Sequence, residues 1–291
     1  MDKRRITQII TTILTNSNIN GFLNGTIFKG KSKKACVPGL NCYSCPGALG
    51  SCPIGSLQAV IGSMKYNLSL YVIGIMMFFG VLFGRFICGF LCPFGLIQDL
   101  LNKIPFKKIK VNKKINNIMK YFKYVILMVF VIILPMFWVN DVGMGSPYFC
   151  KLICPSGTLT AGIPLAILNK PLRATLGFLF QWKVFILIIT ILLSIIIYRP
   201  FCRYICPLGA IYSVFNPISF YKMDIDKSKC NGCKACERKC KMNIEVYKNP
   251  NSLECIRCGE CAKVCKQNAI VTGFTTKNQL IKNSKNKSEN I

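Results

Sequence analysis

The chain has 291 residues, 18 cysteines and no histidine, with 38 basic against 10 acidic side chains. An apolar content of 52% with 16% charge excludes a disordered chain. The missing histidine excludes His-ligated haem, His-containing zinc sites, Rieske clusters and His-based triads, which leaves thiolate–metal or thiol–disulfide chemistry for the cysteines.

In chain order, the first candidate span is Ile6–Phe28, where an apolar stretch, Ile9–Leu14, gives way to Asn16, Asn18, Asn20 and Asn24; it is expected to span with help from neighbouring helices, the alternative being that it lies in the membrane interface. No cleavage site follows the basic start Met1–Arg5. Three uncharged runs follow: Tyr66–Gly84 (19 residues), Tyr124–Asn140 (17) and Ala174–Tyr198 (25, interrupted only by Lys183). A spanning helix needs about 20 apolar residues, with a range of about 17–25. Val125–Val139 has no polar face, as suits lipid on all sides. The expected fold is therefore an α-helical membrane protein with about four transmembrane helices.

Of the 38 basic residues, 24 lie at or before Lys222, against three acids, Asp2, Asp99 and Asp141. This charge sits between the uncharged runs. That suits loops touching anionic membrane lipids, at roughly 1 kcal/mol per Lys, and speaks against nucleic acid. The segment Lys103–Lys123 carries eight lysines and no acid, so the positive-inside rule makes it cytoplasmic. Tyr66–Gly84 then enters from outside, Tyr124–Asn140 returns outward, and everything after Arg199 is cytoplasmic. Lys29, Lys31, Lys33 and Lys34 fall outside and run against the rule.

One phrase occurs four times: Cys52-Pro53-Ile54-Gly55, Cys92-Pro93-Phe94-Gly95, Cys154-Pro155-Ser156-Gly157 and Cys206-Pro207-Leu208-Gly209. The last three have a cysteine four residues upstream, at Cys88, Cys150 and Cys202; the first has Cys36, Cys42 and Cys45 before it. Cysteines at i and i+4 share a helix face. Proline disfavours helix at the residue before it and suits N1 of a new helix. Each phrase therefore predicts a break followed by a short helix whose N-terminus favours an anion. Repeats one and three fall at the outer face, two and four at the inner face. Inside, Cys88, Cys92, Cys202 and Cys206 make the count for one [4Fe–4S] cluster; reduced structural thiols are the alternative. Outside, Cys36, Cys42, Cys45, Cys52, Cys150 and Cys154 make four plus two: one cluster with two spare thiols, or three disulfides. Arg85, Arg203 and Lys151 stand beside these cysteines and are candidates to offset cluster charge.

The C-terminal part reads Cys230-x2-Cys233-x2-Cys236-x3-Cys240, then Cys255-x2-Cys258-x2-Cys261-x3-Cys265. Zinc pairs do not continue in this way. The pattern resembles the bacterial two-cluster ferredoxin, a small α+β domain in which each run's fourth cysteine ligates the other cluster. The resemblance implies one [4Fe–4S] cluster on Cys230, Cys233, Cys236 and Cys265, and a second on Cys255, Cys258, Cys261 and Cys240. Lys241 and Lys266 stand where that family usually has proline. The expected organisation is a membrane domain, 1–222, a ferredoxin-type domain, 223–272, and a disordered tail, 273–291.

Cys88-Gly-Phe-Leu-Cys92-Pro and Cys202-Arg-Tyr-Ile-Cys206-Pro, ahead of a two-cluster module, resemble the membrane-bound 4Fe–4S polyferredoxins of nitrate and nitrous oxide respiration. The likeness runs from Arg4 to Ile270. The stretch Val37-Pro-Gly-Leu-Asn-Cys42-Tyr-Ser-Cys45-Pro resembles an anaerobic bacterial subgroup. The family implies electron transfer between the two sides of the cell membrane, with redox partner proteins such as a soluble ferredoxin inside and a flavin-binding or reductase protein outside. Flavin enters only through such a partner. A single hop across a layer about 30 Å thick would be slow, so intermediate carriers are expected. Two other classes stay open, a membrane thiol–disulfide oxidoreductase and a cluster-binding sensor or maturation factor.

Overall fold

The computed structural model describes residues 3–63, 69–141 and 144–274. Among these, two helices are long and apolar enough to cross a membrane, Lys113–Phe137 (25 residues) and Phe178–Ile196 (19 residues). At 1.5 Å per residue they are about 37 and 28 Å long. The first starts within the lysine-rich segment, where the Asn112 side chain caps it by accepting from Lys114 N at 3.1 Å. It widens to a π-helix over Leu127–Ile133, just before Pro135. The shorter apolar helix Pro155–Leu168 does the same over Thr158–Gly162, before Pro164. A proline inside a helix clashes with the carbonyl four residues back, and a π-turn relieves the clash without ending the helix.

The other two expected spans look different. Leu70–Phe83 is a 14-residue helix, and residues 66–68 of the run Tyr66–Gly84 lie outside the described residues. Ile6–Phe28 is not one helix. It forms Lys3–Thr15 and Ile19–Asn24. The break falls at the asparagines because their side chains compete for backbone groups: Asn16 Nδ2 donates to Thr12 O at 3.0 Å and Asn18 Nδ2 to Pro46 O at 2.8 Å. The tail from residue 275 lies outside the described residues.

The chain divides into two compact units, one of residues 1–76 and 91–210, the other of residues 77–90 and 211–291. The C-terminal cysteine runs thus share a unit with the end of the Leu70–Phe83 helix.

Within the first unit the long helices run in opposite senses between two ends. At one end Trp138 O accepts from Tyr148 Oη at 3.2 Å and Trp182 Nε1 donates to Leu152 O at 3.2 Å. At the other, Tyr204 Oη donates to Asn116 Oδ1 at 3.1 Å and Asn102 Nδ2 to Ser194 O at 3.1 Å. The segment around repeat three therefore attaches to one end, and that around repeat four to the other. The Lys3–Thr15 helix also joins both. Arg4 pairs with Asp99 at 2.7 Å, while Thr15 O accepts from Leu49 N at 3.0 Å in the Cys36–Cys52 loop. Asp99 also binds Arg199 through Nε at 2.7 Å and NH2 at 2.6 Å. Arg199 is fully buried, with φ at 50° ahead of Pro200. That backbone is costly for a residue with a side chain, and the Asp99 clamp holds it in place.

In the second unit, strands Lys222–Ile225 and Ile270–Gly273 pair antiparallel, from Lys222↔Gly273 to Ile225↔Ile270. The helices Ala235–Lys239 and Glu260–Lys263 each follow the opening cysteines of a run. Arg257 ties this module to the helix end, donating to Phe83 O at 2.9 Å and Asn216 O at 2.6 Å.

Candidate functional site

In the C-terminal module the two runs interleave. A cavity of about 330 Å³ is lined by Cys230, Cys233, Cys236 and Cys265. Burial raises the Cys236 thiol, and the neighbouring Cys230 and Cys265 add to it. In the other set, burial first, then Cys258 and Cys240, push Cys255 up to about 11. Burial with Cys255, Cys258 and Cys240 pushes Cys261 up to about 12. The structure thus brings the fourth cysteine of each run to the first three of the other. The turns after Cys240 and Cys265 close through Asn243 and Asn268, at φ of 61° and 47°, with Asn243 N and Asn268 N donating to the cysteine carbonyls at 3.2 and 3.1 Å. Asparagine tolerates this left-handed backbone, which explains how the turn forms with Lys241 and Lys266 in place of proline.

In the first unit the six cysteines of the Cys36–Cys154 group separate. Cys42, Cys52, Cys150 and Cys154 line one cavity of about 520 Å³; neither Cys36 nor Cys45 does. Cys52 and Cys154 each sit at the N-cap of a helix that opens on proline. The glycines of the two phrases make room. A Cβ on Gly157 would lie 3.4 Å from Cys42 Sγ, and one on Gly55 3.8 Å from Cys150 Sγ. Burial, then the neighbouring thiols, raises Cys52 to about 12 and Cys154 to about 11. Gln58 is fully buried; its Oε1 accepts from Phe149 N at 3.0 Å, which turns its Nε2 to Cys150 Sγ at 3.3 Å. Lys183 lines the same cavity. Lys33 lies over the Tyr43 ring at 4.8 Å and donates to Ala48 O at 2.7 Å, so one lysine that opposes the positive-inside pattern braces the cysteine loop. Cys36 and Cys45 stand just off this cavity, Cys36 bonded to Ser56 on its edge and Cys45 beside Cys42 with Asn16 Oδ1 at 3.8 Å.

The second pair of phrases repeats the scheme. Cys92 is the N-cap of Pro93–Leu101, Cys202 lies in Pro200–Tyr204, and Cys206 stands just before Pro207–Phe215. All three are buried. Gln98 Nε2 donates to Cys202 Sγ at 2.9 Å, and Phe94 packs edge-on to Phe201 at 5.2 Å. Cys88, also buried, belongs to the other unit. One further contact joins the two sets of the first unit: a Cβ on Gly39 would meet Leu91 O at 2.9 Å and Cys92 Cα at 3.0 Å. The loop that carries Cys42 therefore touches the backbone at Cys92, three residues away from Cys42, a reach of about 10 Å.

The expected charge partners fare unequally. Arg85 is committed to Glu254 at 2.6 Å and Leu253 O at 3.1 Å. Arg203 is buried and lies over the Tyr204 ring at 5.3 Å, while Lys151 is exposed. Sequence reading passed over Gln58, Gln98 and Lys183. The signal was present: both glutamines stand in Cys-Pro-x-Gly-x-x-Gln, at 52–58 and 92–98, and Lys183 is the one charge inside its apolar run.

Among the described residues no two cysteines are joined in a disulfide, and no three His, Cys, Asp or Glu side chains close on a single metal ion. A mononuclear thiolate site, with bonds of about 2.3 Å, draws its sulfurs to within about 4 Å of one another. Four cysteines bordering a cavity suit a larger group, and four thiolates are the donor set of a [4Fe–4S] cluster.

A family model described as a 4Fe–4S binding domain matches residues 66–112 and 179–221, and a second of the same description matches 250–271. An uncharacterized protein of Methanocaldococcus jannaschii is 35% identical over 201 residues, 67% of each chain. The ferredoxin-type protein NapH of Haemophilus influenzae is 25% identical over 209 residues, 66% of this chain and 63% of its own. The regulatory protein NosR of Stutzerimonas stutzeri is 27% identical over 194 residues, 62% of this chain and 23% of its own. No solved structure matches the chain. With cysteine sets suited to iron–sulfur clusters in both units, the chain belongs to the NapH/NosR-like family of ferredoxin-type 4Fe–4S electron-transfer proteins.

Proposed function

We propose that the protein relays electrons across the cell membrane, between a cytoplasmic ferredoxin-type module and a cysteine set near the outer face. The observation that carries this is the contact of Gly39 with Leu91 and Cys92. Repeats three and four attach to opposite ends of two apolar helices, yet the loop bearing Cys42 reaches the Cys92 backbone. A gap of about 30 Å is thereby divided into shorter steps.

A bound [4Fe–4S] group supplies one-electron uptake and release without a proton. The chain's own residues do the rest. Cys230, Cys233, Cys236 and Cys265 hold the entry group, and Cys255, Cys258, Cys261 and Cys240 the next. Cys92, Cys202 and Cys206 of the first unit would contribute thiolates to a group at the inner end of the spans, with Gln98 fixing Cys202. The buried apolar walls exclude water and keep the reorganisation of each site small. Lys103–Lys123 rests on anionic headgroups, which sets the orientation.

Cys230 and Cys233 are exposed, and Cys230 borders a hollow lined by Lys222, Lys227, Lys248 and one acid, Asp224. An acidic soluble ferredoxin fits this entry face, and a flavin-binding or reductase protein is the partner proposed outside. Anaerobically purified protein in liposomes that enclose a viologen dye tests the relay. Dithionite added outside should reduce the enclosed dye only when the protein is present. Clusters that bleach fully while the dye stays oxidised would refute it.

A further inference from the structure

The matched 4Fe–4S models cover none of Cys42, Cys52, Cys150 and Cys154. We infer that these four residues, and not Cys36 or Cys45, are the thiolate ligands of an additional [4Fe–4S] cluster, with Gln58 and Lys183 as its non-ligating partners. The inference deepens the outer terminus of the proposed relay and rests on that reading only for its role, not for its existence.

The cavity lining separates the six cysteines, although Cys45 lies next to Cys42 and Cys36 is bonded to Ser56 on the cavity's edge. Four line a single cavity of about 520 Å³, whose walls are kept back by Gly55 and Gly157. Two helices open at this cavity, after Cys52 and after Cys154, and the second runs 14 residues to Leu168. Helix N-termini favour the net negative charge of a four-thiolate cluster. Lys183 adds a positive charge on the same wall, felt at Cys42 and Cys154. Gln58 is the independent sign of a ligand. It is fully buried, and its amide is locked by Phe149 N so that an N–H faces Cys150 Sγ. Gln98 faces Cys202 in the same way. An N–H···S bond stabilises the reduced, more negative state of a cluster and raises its potential. Among buried thiols of a structural kind, two equivalently placed glutamines would have no such task.

The test is iron per chain in the full protein, purified anaerobically, with the spectra of the C-terminal clusters as the check on folding. Cys42→Ser and Cys154→Ser should each lose about four irons while those spectra stay intact. Cys36→Ser and Cys45→Ser should keep the full iron count. Gln58→Leu should keep its iron but lower the midpoint potential of one cluster, and Gln58→Glu should not restore it. Full iron in Cys42→Ser, or an equal loss in Cys36→Ser, would overturn the inference. Four thiols that label only after reductant, with no iron to lose, would do the same. Should the iron fall as expected while liposomes carry no current, the site stands and the relay falls.

Discussion

The two cysteine-lined cavities make an instructive pair. Near the C-terminus, Cys230 and Cys233 are exposed, and three of the four lining cysteines come from one short run. In the first unit Cys52 and Cys154 are buried, and the four come from a stretch of chain between residues 42 and 154. A cluster at an exposed site exchanges electrons readily with a docking partner and shares its potential with solvent. A cluster at the buried site sees chiefly fixed groups, Gln58 and Lys183 among them, so the fold sets its potential. Under the proposed relay, the pair reads as an entry point open to collision and a terminus tuned from within.

The sharpest way to break this contrast is at the ligands. Cys265→Ser should remove about four irons from the set that begins at Cys230, and spare the run in which Cys265 itself lies. Electron paramagnetic resonance would then show one isolated C-terminal cluster in place of an interacting pair. Loss of the Cys255–Cys261 signal instead would contradict the interleaving.

Next comes the clamp beneath the buried region. Asp99→Asn leaves Arg199, fully buried, and Arg4 without a countercharge. Breaking a buried pair in this way costs about 3–5 kcal/mol, visible as a lower unfolding midpoint in detergent. Burial alone would raise the Asp99 carboxyl, but Arg199 and then Arg4 outweigh it and hold the carboxyl below its ordinary value. The clamp thus contributes fully above about pH 4 and is lost as pH falls through the lowered value. The wild-type advantage over Asp99→Asn should shrink in strong acid and stay level from pH 5 to 8.

The smallest structural change tests the join between sites. Gly39→Val must push the Cys36–Cys52 loop off Leu91 and Cys92. Iron content should be unchanged, while dye reduction in liposomes slows by about tenfold, the effect of a slightly longer jump. An unaltered rate would show that electrons take another path.

The sequence made some of this plain and hid the rest for physical reasons. The C-terminal runs are legible because their spacing is local and each loop wraps its own group. The pairing of repeat one with three, and two with four, followed from counting spans. Which four of six cysteines line the cavity was not legible, because that depends on how the Cys36–Cys52 loop folds against Lys33 and Gly39. The ion pair of Arg85 was hidden for a similar reason. Three residues before Cys88 in sequence, Arg85 pairs with Glu254, a residue 169 positions on. Within Ile6–Phe28 the helix breaks where short polar side chains take the backbone's bonds.

The Asp99 clamp also says something about biogenesis. Its three members are spread along the nascent chain, with Arg4 near the start, Asp99 a third of the way along and Arg199 past the second third. The first helix leaves the ribosome long before its anchor exists, and the carboxylate waits in turn for its second guanidinium. Final seating of the clamp must therefore follow synthesis of Arg199, the last of its three members, and until then Arg4 is the carboxylate's one guanidinium partner among the three.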